Sequence, residues 1–441
     1  MMHKSTLIVG IVLSLACRID TASDTSNEMS KTEVDQLVSW EFDRQEYADR
    51  LEAFWLATSI GNWTGLITEM DKIGTIGPIQ TGSFYTREDW GSPDEPNIWD
   101  EGIPSQISPT IDFVLRTEDE IWGADDDTDL EYMYQQIILA NENPMLRPEQ
   151  IREGWLTHIA SEEENYLWVS NQRAFDLMRQ GLLPPETGSP EHNEHFEMID
   201  AQLTTEIFGL YAPGKPDLGR KLAHLPIQTV AREEAEDIAL FYVTMFSISA
   251  GATLGAKDPF TASQRYQILL QAALQARTYL PEGEYPAHMF DYVSQLHASG
   301  IPWEAARDSI YSHYQVQQHG GYDITSQELY CNGCFAAGIN FAASLISLYY
   351  GEGDLTQTIQ IGSLCGWDSD NPTATWAGLI GFLMGSEAID DTFGLNLSRT
   401  FHIHRTRQGF PNQGIDTFSN MALNGLKVLD LVQQLEHSIQ E

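Results

Sequence analysis

The sequence predicts a mostly helical fold in one domain. Apolar residues recur at three- and four-residue steps through most of the chain, and β-branched residues rarely alternate with polar ones. Residues 334–351, "CFAAGINFAASLISLYYG", are nearly all apolar, which marks a central buried helix. With 441 residues, 42% of them hydrophobic, the chain can bury a sizeable core. Its length allows one large domain or two. No internal repeat and no shift of composition marks a second, so one all-α, multi-helix domain over residues 41–441 is expected.

At the start, Met1-Met2-His3-Lys4 followed by the apolar stretch Leu7 to Ala16 reads as an export signal over residues 1–16. Ser14 and Ala16 suit ordinary cleavage after Ala16. Cys17 at the new terminus suits a bacterial lipoprotein, and a lipid anchor stays open beside soluble export. The apolar stretch is too short to span a bilayer. Residues 17–40, rich in Ser, Thr and Asp, read as a polar tether. The expected location is therefore exported, periplasmic or anchored at the outer membrane.

The first helix of the domain shows Leu51, Phe54, Trp55 and Thr58 on one face and is expected to stop at Gly61, before a glycine-bounded turn, "GNWTGLITE", ending in Glu69. Residues 86–112 carry Pro93, Pro96, Pro104 and Pro109, which excludes a regular helix and suggests a long loop at the rim of a site. "GADDDTDLEYMYQQIILA" opens with acids and continues with Leu130, Met133, Ile137 and Ile138 on one face, so the aspartates lie at a helix N-terminus. Further helices are expected at 149–160, 162–181, 198–210, 232–255, 262–278, 287–298 and 303–316.

Asp plus Glu number 64 against 24 Lys plus Arg, a net charge of −40. Such a chain repels nucleic acid and anionic membrane surfaces. Beyond the signal no segment is long and apolar enough for a transmembrane helix, and nothing indicates a protein partner. Of the four cysteines, Cys331 and Cys334 form a lone CxxC without neighbouring histidines, which fits a local disulfide or two buried thiols better than zinc or redox catalysis.

Two groups of acids could carry chemistry. Asp125-Asp126-Asp127 and the pair Asp368 and Asp370, in "CGWDSDNPTATWAG", each lie at a helix start. If those starts meet, four or five carboxylates share one pocket, and a hard divalent cation is their natural partner. Helix capping alone accounts for one aspartate of each group. Three consecutive aspartates exceed what a cap needs, and Ala374, Ala377, Gly378, Gly381 and Gly385 allow the close helix packing that would hold the second group still.

The chain resembles the ADP-ribosylglycohydrolases over roughly residues 45–390. The resemblance rests on "LATSIGNWTGLITE", on "DDDTDLEYM" and, most specifically, on "YYGEGDLTQTIQIGSLCGWDSDNPTATWAGLIGFLMG". It implies an all-helical fold holding two magnesium ions and hydrolysing a bond at the anomeric carbon of ribose. It further implies Asp126 and Asp127 as early metal ligands, Asp368 and Asp370 as late ones, and Glu69 as the catalytic acid or base. Three positions depart from the family pattern. Asn62 stands for an aspartate, Asp125 for a frequent threonine, and Asn371 for a threonine or serine, although an amide or carboxylate oxygen can still serve a cation. The expected metal set is thus Asp125, Asp126, Asp127, Asp368, Asp370 and Asn371.

Asn62, Asn171 and Asp200 are candidate substrate-binding residues, because they interrupt otherwise apolar helices or motifs; Arg173 and Gln202 share that property. His192 and His195 read as surface histidines, and His402, His404, Arg405 and Arg407 as an interface with the acidic body. "NWT" at 62–64 and "NLS" at 396–398 match the glycosylation acceptor pattern only by chance. Two alternatives stand beside an ADP-ribosyl hydrolase: a glycosidase acting on carbohydrate, and an exported lipoprotein that binds a sugar or nucleotide without hydrolysis.

Overall fold

The computed structural model describes residues 42–99, 104–161, 165–256, 259–327 and 329–440. The expected signal and tether lie outside them. The described chain is mostly helical: α1 Arg44–Gly65, α2 Asp126–Asn141, α3 Pro148–His158, α4 Val169–Arg179, α5 Asp200–Leu203, α6 Ile207–Leu210, α7 Pro216–Gln228 and α8 Glu233–Thr253. There follow α9 Ala262–Arg277, α10 Tyr285–Ala298, α11 Trp303–Ile310, α12 Ala337–Gly351, α13 Leu355–Cys365, α14 Asp370–Met384, α15 Ser386–Phe393 and α16 Phe418–Gln440. Two three-residue strands, β1 Thr400–His402 and β2 Ile415–Thr417, pair antiparallel. No helix among the described residues is long and apolar enough to cross a membrane.

The most extensive helix contact joins α1 to α14. Glycine makes it possible: a Cβ on Gly61 would lie 2.5 Å from the Thr373 carbonyl oxygen, and one on Gly65 would lie 2.4 Å from the Asp370 Cα. Gly378 and Gly381 answer from the other side, against Thr58 and Ala57. The small residues expected to allow close packing therefore do so, and α1 runs on to Gly65 instead of stopping at Gly61. Glycine was taken for a helix stop, but here it is required by close approach inside a helix. At the end of α1, the Ser369 hydroxyl donates to the Gly65 carbonyl at 3.1 Å, tying the helix to the loop that carries Asp368.

Other boundaries differ from expectation. The segment 198–210 is two single-turn helices, α5 and α6, and the helix expected at 162–181 starts only at Val169. Residues 165–168 carry no regular secondary structure, because Tyr166 and Val169 adopt φ of 51° and 33°, outside the right-handed helical region. Cys331 and Cys334 form a disulfide, and Cys365 is free and buried.

Beneath the N-termini of α2 and α14 lies a buried pair of acids. Glu131 Oε1 accepts from the Ile207 backbone N–H at 2.7 Å, and Glu206 Oε2 accepts from Gln202 at 2.8 Å and Thr375 at 3.2 Å. Burial pushes Glu206 up to about 8 and, with the charge of Glu206 added, raises Glu131 well above the carboxylate range. The folded state therefore binds more protons than the unfolded chain between about pH 4.5 and 8, so this pair makes stability fall as pH rises through that window.

Two outcomes follow. Glu206→Gln should flatten the decline in urea midpoint between pH 5 and 8 relative to wild type, and an unchanged slope would contradict the shared burial. Gly65→Ala should cost about 1–3 kcal/mol, or prevent folding, because its methyl meets backbone and not a movable side chain; a melting temperature equal to wild type would show that α1 and α14 can separate.

Candidate active site

Two strained residues bring the first acid into place. Met70 (φ 58°) and Trp367 (φ 57°) both occupy the left-handed region, each adjacent to a candidate residue, Glu69 and Asp368. The Met70 N–H donates to the Trp367 carbonyl at 2.8 Å, and the Trp367 N–H donates to Lys72 O at 2.8 Å. Two backbone bonds therefore stitch the turn after α1 to the loop before α14. Gly366, at φ 95°, completes the crossing, since a Cβ there would lie 2.6 Å from Lys72 O. Strain of this kind persists only where surrounding packing enforces it. The buried Trp367 supplies that packing, with its indole N–H on Gln315 at 2.9 Å and its ring 4.7 Å from Phe84.

Glu69, Asp368 and Asp370 thus form one group, each contributing an oxygen within 4.8 Å of the others. Asp125, Asp126 and Asp127 form a second group on the same criterion. Asp125 is the N-cap of α2 and accepts from the Asp127 N–H at 3.2 Å. One aspartate caps, as expected, and the other two are left to face the pocket. Glu69, Asp126, Asp127, Asp200, Asp368 and Asp370 line a single cleft, so the two helix starts meet.

Amides bridge the two groups. Asn371 Nδ2 donates to Asp127 Oδ1 at 2.8 Å, while Asn62 Nδ2 donates to Asp125 Oδ1 at 2.9 Å and to Asp127 Oδ2 at 3.4 Å. With the N–H ends on carboxylates, the amide oxygens point elsewhere. Asn62 Oδ1, Asn371 Oδ1, Asp125 Oδ2 and Asp370 Oδ1 are buried without a hydrogen-bond donor. All four are acceptors. A cation satisfies a set of converging acceptors, and hard oxygen donors of this kind suit magnesium or calcium. The residues present therefore fit a divalent ion.

Burial, and then the charge of Asp370, raise Glu69, Asp125 and Asp127 well above the carboxylate range. The same two causes raise Asp368, while for Asp126 the Asp129 charge precedes that of Asp370. Asp200 is pushed up to about 6 by burial, offset by the Asn171 N–H that donates to its Oδ1 at 2.9 Å. Asn171 itself is fully buried with both side-chain polar atoms unpartnered, so it stands behind Asp200.

The remaining candidates fall elsewhere. Gln202 is committed to Glu206 and Thr375, and Arg173 to the His192 carbonyl and Glu194. His192 meets Ser189, and neither it nor His195 joins a metal-capable group among the described residues. Arg407 is a buried ion-pair partner of Asp129 at 2.9 Å, as an interface with the acidic body requires, whereas His402 and Arg405 of the same stretch are exposed. Asn62 is 0% exposed, which rules out glycosylation there.

Some lining residues were missed. Trp168, Val169, Ile199, Leu203 and Phe335 form the wall beside the acids. Asn340 holds the late loop, accepting from the Asp368 N–H at 3.2 Å and donating to Cys334 O at 2.8 Å. No sequence signal marked Trp168, which falls inside the helix expected at 162–181.

Comparison with known proteins bears on this arrangement. A family model described as ADP-ribosylglycohydrolase matches residues 43–413, most of the chain. No curated protein matches it. Among solved structures, one titled "ADP-ribosylglycohydrolase-related protein complex" is similar at 14% identity and a TM-score of 0.48, over 88% of this chain and 99% of that one. With both acid groups gathered in one cleft and the family model spanning α1 to α15, the chain belongs to the ADP-ribosylglycohydrolase family and is a glycosyl-bond hydrolase of that type.

Proposed function

We propose that this hydrolase is a magnesium-dependent enzyme cleaving the bond at the anomeric carbon of a ribosyl or related glycosyl conjugate. The observation that carries the metal is the set of buried oxygens on Asn62, Asp125, Asp370 and Asn371 that lack any donor. Asp126, Asp127, Asp368 and Asp370 are the principal ligands in this reading, with Asp125 and the Asn371 oxygen beside them, and the donor set is large enough for two ions. When bound, magnesium would supply charge neutralisation, polarisation of sugar hydroxyls and a water of lowered pKa.

The chain's own groups do the rest. Glu69 is the member of the late group least committed to holding a cation, since it arrives from the turn after α1 and remains partly exposed at the cleft. It transfers the proton, either to the leaving oxygen or from the attacking water. Asp200, oriented by the Asn171 N–H, accepts from a sugar hydroxyl. Asn62 and Asn371 hold Asp127 by both oxygens, so that its carboxylate keeps one orientation. Export completes the proposal, supported by the apolar stretch Leu7 to Ala16 and by the Cys331–Cys334 disulfide, which suits an oxidising compartment.

Titration calorimetry with Mg²⁺ should show binding to the wild type that Asp370→Asn weakens at least about ten-fold; equal binding by the variant would sink the metal reading. Glu69→Gln should lower kcat by about 10²–10⁴ on whichever ADP-ribosyl conjugate or glycoside is turned over, with Mg²⁺ affinity changed only a few-fold. Full turnover by Glu69→Gln would remove Glu69 from catalysis.

A further inference from the structure

The Cys331–Cys334 disulfide closes a turn directly before Phe335, whose side chain lines the acidic cleft. The bonded cysteines are only three residues apart in sequence. A cross-link restrains the unfolded chain more as the loop it closes grows, so one this short contributes little as a global staple. The turn it closes is unusual. Cys331, Asn332 and Gly333 follow one another at φ 51°, 58° and 74°, all left-handed, and two of them carry a Cβ that disfavours this region. Such backbone persists only where its surroundings enforce it. The disulfide spans the turn, and Asn332 Nδ2 anchors it by donating to the Ile76 carbonyl at 2.6 Å.

From this turn the chain reaches the cleft twice. The Cys334 carbonyl accepts from Asn340 Nδ2 at 2.8 Å, and the Ala336 carbonyl accepts from the same nitrogen at 3.0 Å. Both N–H groups of that buried amide are therefore spent on carbonyls, which turns its oxygen toward the Asp368 N–H, 3.2 Å away. The Cys334 carbonyl thus helps set the direction of the amide that holds Asp368. On the other side, Phe335 O accepts from the Ile199 N–H and Glu197 O accepts from the Ala337 N–H, each at 3.0 Å. These bonds tie Phe335 to Ile199 and to Asp200, which follows it in the chain and lines the same cleft.

We propose that Cys331 and Cys334 are positioning residues of the cleft: their bond holds the left-handed turn, the turn fixes the Cys334 carbonyl, and Asn340 passes that constraint to Asp368. None of the three is among the residues that line the cleft. A chain made without the bond keeps its helices and offers a cation a looser site. Only the effect on cation affinity rests on the magnesium reading above; the order of the Asp368 loop does not.

Amide exchange followed by mass spectrometry on the full chain without metal tests this, using Cys331→Ser/Cys334→Ser, Asn340→Ala and all three changes together. Exchange across residues 366–370 should quicken at least about ten-fold in the serine pair and in Asn340→Ala, while exchange in α8 changes less than about two-fold. The triple variant should be no faster than the quicker of the two, because both act through one path. Mg²⁺ affinity by calorimetry should fall at least about five-fold in each. Where the serine pair does not fold, Cys331→Gly/Cys334→Ser takes its place, since glycine accepts φ 51° without strain. Unchanged exchange at 366–370 without the disulfide, equal acceleration throughout the chain, accelerations that multiply in the triple variant, or Mg²⁺ bound equally with and without the bond would each overturn the inference. Exchange as expected in a protein whose wild type binds no Mg²⁺ would uphold it and count against the magnesium reading.

Discussion

Six carboxylates in one cleft repel one another, and what keeps them together is the approach of two backbones. At Gly65 the end of α1 comes so near the start of α14 that a single methyl group would strike the Asp370 Cα. The contact fixes where α14 begins, and hence where Asp368 and Asp370 stand relative to Asn62, three residues before Gly65 on α1. Asn62 in turn holds Asp125 and Asp127. Helix-to-helix packing, with its many small contacts, supplies the stability that the acids remove. The arrangement of the acids is therefore a consequence of glycine placement more than of the acids themselves.

Strain is distributed around the cleft in the same spirit. Met70 and Trp367 lie next to Glu69 and Asp368, while Tyr166 and Val169 flank Trp168. The first pair is bridged directly by a backbone hydrogen bond, whereas the second is held through Arg407, which reaches from Asp129 to the Asn165 carbonyl. Burial alone pushes Asp129 up to about 6 against the pull of Arg407, so the charge pair is maintained at a desolvation cost. Removing either partner would leave a buried charge without compensation.

The acids were legible in the sequence because each group is contiguous: neighbouring residues at one helix start need no knowledge of the fold to be seen as a set. That the two sets meet was readable only through the family resemblance, since nothing local ties helix starts about 240 residues apart. The wall opposite them was not. Trp168, Ile199 and Phe335 come from three separated segments with no spacing relation, and each looks like an ordinary core residue. "NYLWVSNQRAF" continues a helical pattern through Trp168, and only the tertiary demand at Tyr166 and Val169 breaks it. Gly61 misled for the opposite reason, since local propensity marks a stop where packing requires a continuing helix.

The three departures from the family pattern make sense as one adjustment. Asn62 and Asn371 replace a carboxylate and a hydroxyl with amides, and both spend their N–H groups on Asp127. An aspartate at 62 would have added a further carboxylate facing Asp125 and Asp127, with no amide N–H to offer either. The amide instead supplies a donor to both acids, while its own oxygen stays buried without a donor. Asp125, where a threonine is frequent, returns one charge to the set, and the Asn62 amide meets that carboxylate at 2.9 Å. Charge removed at position 62 and charge added at position 125 are thus two ends of one hydrogen bond, so the pair changes who carries the charge.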